Sequence, residues 1–252
     1  MCAAALAAIP DPGPSPSPSP SPGDIFFDFE GDPPYQGGTE WGLDYLFGLV
    51  ETDETFRAFW AHDLAQEKQA VVDFLEYVAG RRRQHPRLHI YHYASYERMH
   101  LVSIAAQHDV GEEAVDDLLR CGVLVDLHPI VKQSLRVGSR SYSLKKLEPL
   151  YLGTRGRSGV ATAVDSITEY VRSRDLIDSG DTDAAARILA EIATCNEYDC
   201  ISISRSTYRC TTLILSSRSS PPLWPGFRRG SAPLTDPPSL SPLPPSTITG
   251  GG

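Results

Sequence analysis

Between residues 24 and 84 the chain changes its hydrophobic period, and that change narrows the folds open to it more than any other feature. "DIFFDFEG", "TEWGLDYLFGLVE" (residues 39–51) and "ETFRAFWAHD" (residues 54–63) are short runs rich in Phe, Tyr, Leu and Val. Turns containing Gly and Asp separate them, the pattern of an antiparallel meander. From residue 64 the period lengthens, and Leu64, Val71, Val72, Leu75 and Val78 fall on one helical face. This helix ends before Pro86, with Arg81, Arg82 and Arg83 in its last turn, where cations suit the helix dipole. "RLHIYHYA" (residues 87–94) gives a fourth strand, and "SYERMHLVSIAAQHDV" a helix with Ser95 at its cap. "GEEAVDDLLRCG" is a short helix closed by Gly122. "VLVDLHPIV" (residues 123–131) reads as a fifth strand running into a helical or irregular segment, and "SYSLKKLEPLY" as a loop with a short helix. "DSITEYVRSRDLI" and "DTDAAARILAEIATCNEYDC" read as helices, the second capped by Asp181 or Thr182. A meander followed by alternating helix and strand predicts an α/β fold, a mixed sheet with helices packed on it.

The two ends are built differently. Residues 1–23 are mostly Ala, Pro and Ser, and residues 201–252 hold no Lys, no Glu and one Asp; together they contain 16 of the 21 prolines. Such segments bury too little apolar surface to offset chain entropy. The expected organisation is a Pro/Ser-rich disordered linker over 1–23, one folded domain over 24–205 and a low-complexity, disordered tail over 206–252.

Residues 24–200 carry 18 Lys and Arg against 30 Asp and Glu, a net charge of −12. This argues against capture of nucleic acid by net charge alone, although bound cations and local basic clusters can invert the field at a site. Arg81–Arg83, Lys145 with Lys146, and Arg155 with Arg157 are such clusters, or ordinary solvated faces. The five cysteines, at 2, 121, 195, 200 and 210, form no CxxC pair, which fits reduced thiols in a cytoplasmic protein better than a disulfide framework or a zinc site. His62, His89, His92, His100 and His128 share no metal-ligand spacing. The first residues lack the basic region of a signal peptide, and no apolar run approaches a membrane span.

Asp28 and Glu30 stand in the most hydrophobic short segment of the chain. Two residues apart on a strand, they point to one face, where like charges repel and lose hydration. Either this is the solvated face of an edge strand, or a bound cation compensates. Glu97 follows the fourth strand, Asp126 lies in "VLVDLH", and Asp199 lies near the end of the last strong helix. Acids so distributed can converge at one sheet edge, and such oxygen ligands suit two hard divalent cations. Two cations about 3.5–4 Å apart can activate water and stabilise the leaving oxygen of a phosphodiester.

"DIFFDFEGDP", "YHYASYE", "VDLHPIVKQSLRVGSRSYSLKKLEPLY" and "CNEYDC", in that order, resemble the YprB-type RNase H-like domain of the DEDD exonuclease superfamily. That domain is found in predicted RecB-family nucleases of actinobacteria, between a RecB-like nuclease region and a helicase. The resemblance covers about residues 24–200 and implies an RNase H-like mixed sheet of antiparallel and parallel strands flanked by helices. It implies metal-dependent 3′–5′ exonuclease chemistry on DNA or RNA, with Mg²⁺ or Mn²⁺ in a two-metal site. Asp28 and Glu30 match the first motif, Glu97 stands where the superfamily usually has Asp, and Asp199 matches the third motif. Lys145 and Lys146 are implied phosphate contacts, and the implied partners are helicase and RecB-like regions of a longer parent protein.

Two departures bear on activity. The tyrosine subtype of these enzymes has Tyr four residues before the last Asp, on the same helical face; here that position is Cys195, a degenerate base position. Beyond Asp199 the sequence loses acids and helical period within a few residues, as after translation out of frame or in a truncated gene product. The readings left open are a weakened exonuclease-like domain, a non-catalytic nucleic-acid-binding or scaffolding module of the same fold, and a metal-dependent phosphatase using the same acids.

Overall fold

The computed structural model describes residues 6–8, 17–35, 42–138, 141–151 and 163–216. A short strand β1 (Leu6–Ala8) precedes the meander, which consists of β2 (Ile25–Asp32), β3 (Leu43–Glu51) and β4 (Phe56–Trp60). Helix α1 (Leu64–Gln84) starts where the period changes, and the Asp63 carboxylate caps it by accepting from the Gln66 N–H at 2.8 Å. Then come β5 (Ile90–His92), α2 (Tyr96–His108), α3 (Glu112–Arg120) and β6 (Leu124–Asp126). The chain continues through α4 (Leu127–Ser134), β7 (Leu135–Val137), α5 (Leu144–Leu147) and a 3₁₀ turn at Glu148–Leu150. Helices α6 (Ala163–Ser179) and α7 (Thr182–Ser216) complete the described part.

The central sheet has the order β4-β3-β2-β5-β6. β2 pairs antiparallel with β3 and β3 with β4, whereas β2 with β5 and β5 with β6 are parallel. This is the mixed sheet that the order of periods predicts. Its two faces are covered by different helices, because side chains alternate along each strand. Phe27, Phe29, Phe47 and Leu49 face α1, α2 and α3, where Val71, Phe74, Leu101, Ile104 and Val115 close one core. Phe27 stacks on Phe74 with ring centroids 4.6 Å apart. The opposite face meets α6 and α7: Phe26, Val50 and Tyr91 pack with Cys200 and Ile203, while Leu43, Tyr45 and Leu46 pack with Tyr170, Ile188 and Ile192. Asp28 and Glu30 share the parity of Phe26, so β2 directs both acids to the α7 face.

Three local features differ from the expectations drawn from sequence. Ser95 occupies the N-cap of α2 but makes no capping bond with its side chain, because its backbone is helical rather than extended. β1 pairs antiparallel with β7, Leu6 opposite Val137, inside the segment expected to be a linker. Helix α7 runs on to Ser216, past the expected boundary at 205. Its periodicity there is carried by small polar residues. Ser202, Ser204, Ser206 and Thr207 are buried, with Thr207 Oγ1 donating to the Ile203 carbonyl at 3.0 Å and Ser202 Oγ to Glu148 Oε1 at 3.2 Å. A count of large apolar residues does not register such a face. At the start of α7 it is Asp181 that caps, accepting from the Ala184 N–H at 3.1 Å.

Candidate metal centre

Carboxylate oxygens of Asp28, Glu30 and Asp199 lie within 4.8 Å of one another. β2 supplies the first two and α7 the third. Opposite Asp28 on β3 stands Gly48, which leaves room for the α7 side chain that reaches the site. That side chain is Asn196, fully buried. Its Nδ2 donates to Asp28 Oδ2 at 3.1 Å and to the Asp28 carbonyl at 3.4 Å. Its Oδ1 accepts from the Cys200 thiol at 3.8 Å, and the same thiol donates to the Gly48 carbonyl at 3.4 Å. Asn196, Asp199 and Cys200 follow i, i+3, i+4 spacing and so share one face of α7.

Glu97 reaches the cluster from the turn between β5 and α2. Ala94 in that turn has a positive φ of 73°, a conformation that costs a non-Gly residue roughly 1–2 kcal/mol. The surroundings hold it there. Asp126 accepts from the Ala94 N–H at 2.9 Å, and His92 Nδ1 lies 2.7 Å from the Ala94 carbonyl. A carbonyl only accepts, so His92 carries a proton on Nδ1. The same nitrogen lies 3.2 Å from Glu97 Oε2. The turn therefore starts α2 with Glu97 buried and within hydrogen-bonding reach of the Asp28 carboxyl.

Glu30 is oriented from α6. Ser166 Oγ donates to Glu30 Oε2 at 2.9 Å. Having spent its proton there, Ser166 accepts from the Tyr45 hydroxyl at 2.7 Å. Tyr45 is fixed in turn by Tyr170, stacked on it with centroids 3.7 Å apart. A β-bulge follows Glu30, where the pairing of β2 with β3 shifts register at Gly31. Beyond the bulge Asp44 lies buried, with His100 Nδ1 2.6 Å from its Oδ2 and the Tyr96 hydroxyl 3.5 Å from its Oδ1.

The electrostatics require compensation. Burial, and then the charges of Asp199, Glu97 and Glu30, push the Asp28 carboxyl well above the ordinary carboxylate range. Cys200 behind it is raised by burial and by the same acids. Oxygens on one hard cation, each about 2.0–2.6 Å from it, are separated by no more than about 4–5 Å, the spacing that Asp28, Glu30 and Asp199 have. The three converging carboxylates, with Glu97 beside Asp28, make an all-oxygen donor set of the kind that suits hard divalent cations.

Other residues singled out in the sequence fall elsewhere. Asp126 is a capping group, accepting from the Ala94 and His128 N–H groups, each at 2.9 Å. Cys195 is half-buried on α7, and it is the neighbouring Asn196 that reaches Asp28. Lys145 and Lys146 are exposed on α5; Arg155 and Arg157 lie outside the described residues. His89 pairs with Asp24 at 3.1 Å and His108 with Glu67 at 2.6 Å. Asn196, Ser166, Tyr45 and His92 escape a sequence reading, because each acts through a partner on another element. Gly48 inside an apolar strand was the one local signal, since a strand glycine marks close approach.

Among the described residues no helix is long and apolar enough to cross a membrane. No curated protein and no solved structure matches the chain at a significant level. A family model described as RNase H superfamily matches residues 25–206, from the first residue of β2 into α7. The match spans the whole five-stranded sheet and every carboxylate of the cluster, and the chain belongs to the RNase H superfamily.

Proposed function

We propose that this chain is a divalent-cation-dependent hydrolase of nucleic-acid phosphodiesters, an exonuclease-like domain acting from the 3′ end. The observation that carries this reading is the meeting of Asp28, Glu30 and Asp199 oxygens within 4.8 Å, with Glu97 beside Asp28. Asp28, Glu30, Asp199 and Glu97 would hold Mg²⁺ or Mn²⁺. When bound, such cations supply an activated water and neutralise charge on the phosphate and the leaving oxygen. The protein keeps its ligands in place: Asn196 on Asp28, Ser166 on Glu30 and His92 on Glu97 each fix one carboxylate by a hydrogen bond. Lys145 and Lys146, exposed on α5, give point charges for the phosphate backbone of DNA or RNA. The setting is the cytoplasm, in company with helicase and RecB-like regions of a longer parent protein.

A second reading, a nucleic-acid-binding module without turnover, is favoured by Cys195, since a thiol is a short and weak partner for a water. Labelled single- and double-stranded DNA and RNA, with Mn²⁺ or Mg²⁺ and with chelator, separate the two. Cation-dependent shortening from the 3′ end that Asp28→Asn abolishes supports the hydrolase. Cation-dependent binding with no product supports the module.

A further inference from the structure

Tyr96 opens α2, directly before Glu97. Its hydroxyl lies beside the bulge that follows Glu30: a Cβ added at Gly31 would sit 2.9 Å from it. The ring is clamped on one side by His100, stacked with centroids 3.8 Å apart and planes at 27°. His100 is fixed by Asp44 through Nδ1 and Oδ2 at 2.6 Å, and the Asp44 backbone N–H donates to Glu67 Oε1 at 2.7 Å. Glu67 meets His108 Nε2 at 2.6 Å on its other oxygen. This chain of buried polar groups ends at a tyrosine that is itself 39% exposed and lies outside the apolar clusters on both sheet faces. The hydroxyl, held against Asp44, stands next to the bulge that follows Glu30. Its link to Asp44 Oδ1, 3.5 Å long, is at the outer limit of a hydrogen bond, so the hydroxyl proton is only partly engaged.

We infer that the Tyr96 hydroxyl is the substrate-facing donor of this site, giving its hydrogen bond to a nonbridging oxygen of the phosphate that the carboxylate cluster receives. The inference rests on the hydrolase reading above. A phosphate brought among carboxylates needs donors for the oxygens that cations leave unpaired, and a neutral, rigidly held phenol supplies one without adding charge. Asp44 and His100 are positioning residues that aim it.

The test uses the full chain and two probes, Mn²⁺ alone and thymidine 5′-monophosphate at saturating Mn²⁺, each titrated by calorimetry. Cleavage of a labelled single-stranded oligonucleotide is followed alongside. Tyr96→Phe keeps the stack on His100 and removes only the hydroxyl; Tyr96→Ala removes both. Tyr96→Phe is expected to bind Mn²⁺ as the natural protein does, and to lose roughly 10- to 100-fold in monophosphate affinity and in kcat, the worth of one hydrogen bond to a charged group. If Tyr96→Phe stays within twofold on both readouts, the inference is overturned and the hydrolase reading stands. A loss confined to Tyr96→Ala overturns it equally, because the ring then serves packing alone. If the natural protein binds Mn²⁺ but neither binds the monophosphate nor cleaves, the hydrolase reading falls, and this inference with it.

Discussion

Gly48→Ala probes how α7 is seated on the site. A Cβ at Gly48 would stand 1.5 Å from Asn196 Oδ1 and 2.6 Å from its Cγ. Ordinary contact begins at 3.4 Å, so the amide must retreat by roughly 2 Å. Asn196 is fully buried and already bonded at both ends, to Asp28 and to Cys200. Retreat therefore breaks the bond to Asp28 and forces neighbouring side chains from their rotamers. Overpacking of a filled core costs about 1–3 kcal/mol, and a hydrogen bond to an ionisable acceptor about 1.5–3 kcal/mol. The expected loss is about 3–5 kcal/mol, which at about 2–4 °C per kcal/mol for a domain of this size lowers Tm by about 6–20 °C. Backbone strain is not the cause, because Gly48 does not have a positive φ. Urea and thermal denaturation of Gly48→Ala, Asn196→Ala and the double variant form a cycle. Removing the amide gives the new methyl its space, so the double variant should be about as stable as Asn196→Ala, with a coupling as large as the Gly48→Ala loss itself, about 3–5 kcal/mol. Effects that simply add, within about 0.5 kcal/mol, would refute the steric account and leave the glycine unexplained.

Three further outcomes rest on the same contacts. The Asp28 carboxyl is raised above its unfolded value near 3.9, so without cations its contribution to stability is fully present below about pH 4 and is lost as pH rises through the folded value. Asp28→Asn should flatten this part of the Tm–pH profile measured in chelator. With Mn²⁺ the slope should change sign, because cations bind the ionised ligands. Ser166→Ala frees Glu30 Oε2 from a hydrogen bond to a carboxylate, worth about 1.5–3 kcal/mol, and should weaken Mn²⁺ about 10- to 100-fold by calorimetry. Cys195→Tyr, compared at saturating Mn²⁺, should raise any oligonucleotide cleavage, since water-positioning groups are worth about 10²–10⁴ in rate; equal rates would remove residue 195 from that role.

What could be read from the sequence was what repeats locally. Phe27 and Phe29 against Asp28 and Glu30, and Val71 against Leu75 and Val78, declare their faces by spacing alone, so the meander, α1 and the mixed sheet were legible. The pairing of Asp28 and Glu30 with Asp199 came from motif resemblance rather than from spacing. The supports were not legible: Ser166 meets Glu30 across 136 residues, and Asn196 meets Asp28 across 168. Nothing near Asn196 in the chain distinguishes it from a solvated asparagine, and the motif marks its neighbour, position 195, as the place of a phenol. The continuation of α7 past residue 205 leaves little apolar signal, because Ser202, Ser204, Ser206 and Thr207 are the buried residues there beside Ile203. β1 was missed because a three-residue strand in an Ala-rich segment leaves no period to detect.

The central claim, that Asp28, Glu30, Glu97 and Asp199 form a cation site, is tested most directly by titrating Mn²⁺ into the full chain by calorimetry. Asp28→Asn and Asp199→Asn are run beside it, with folding checked by circular dichroism. Saturable binding is predicted for the natural protein, weakened at least tenfold in each folded variant, since each loses one carboxylate of a converging set. Equal Mn²⁺ binding by the natural protein and both variants, or none by any of them, would contradict the claim.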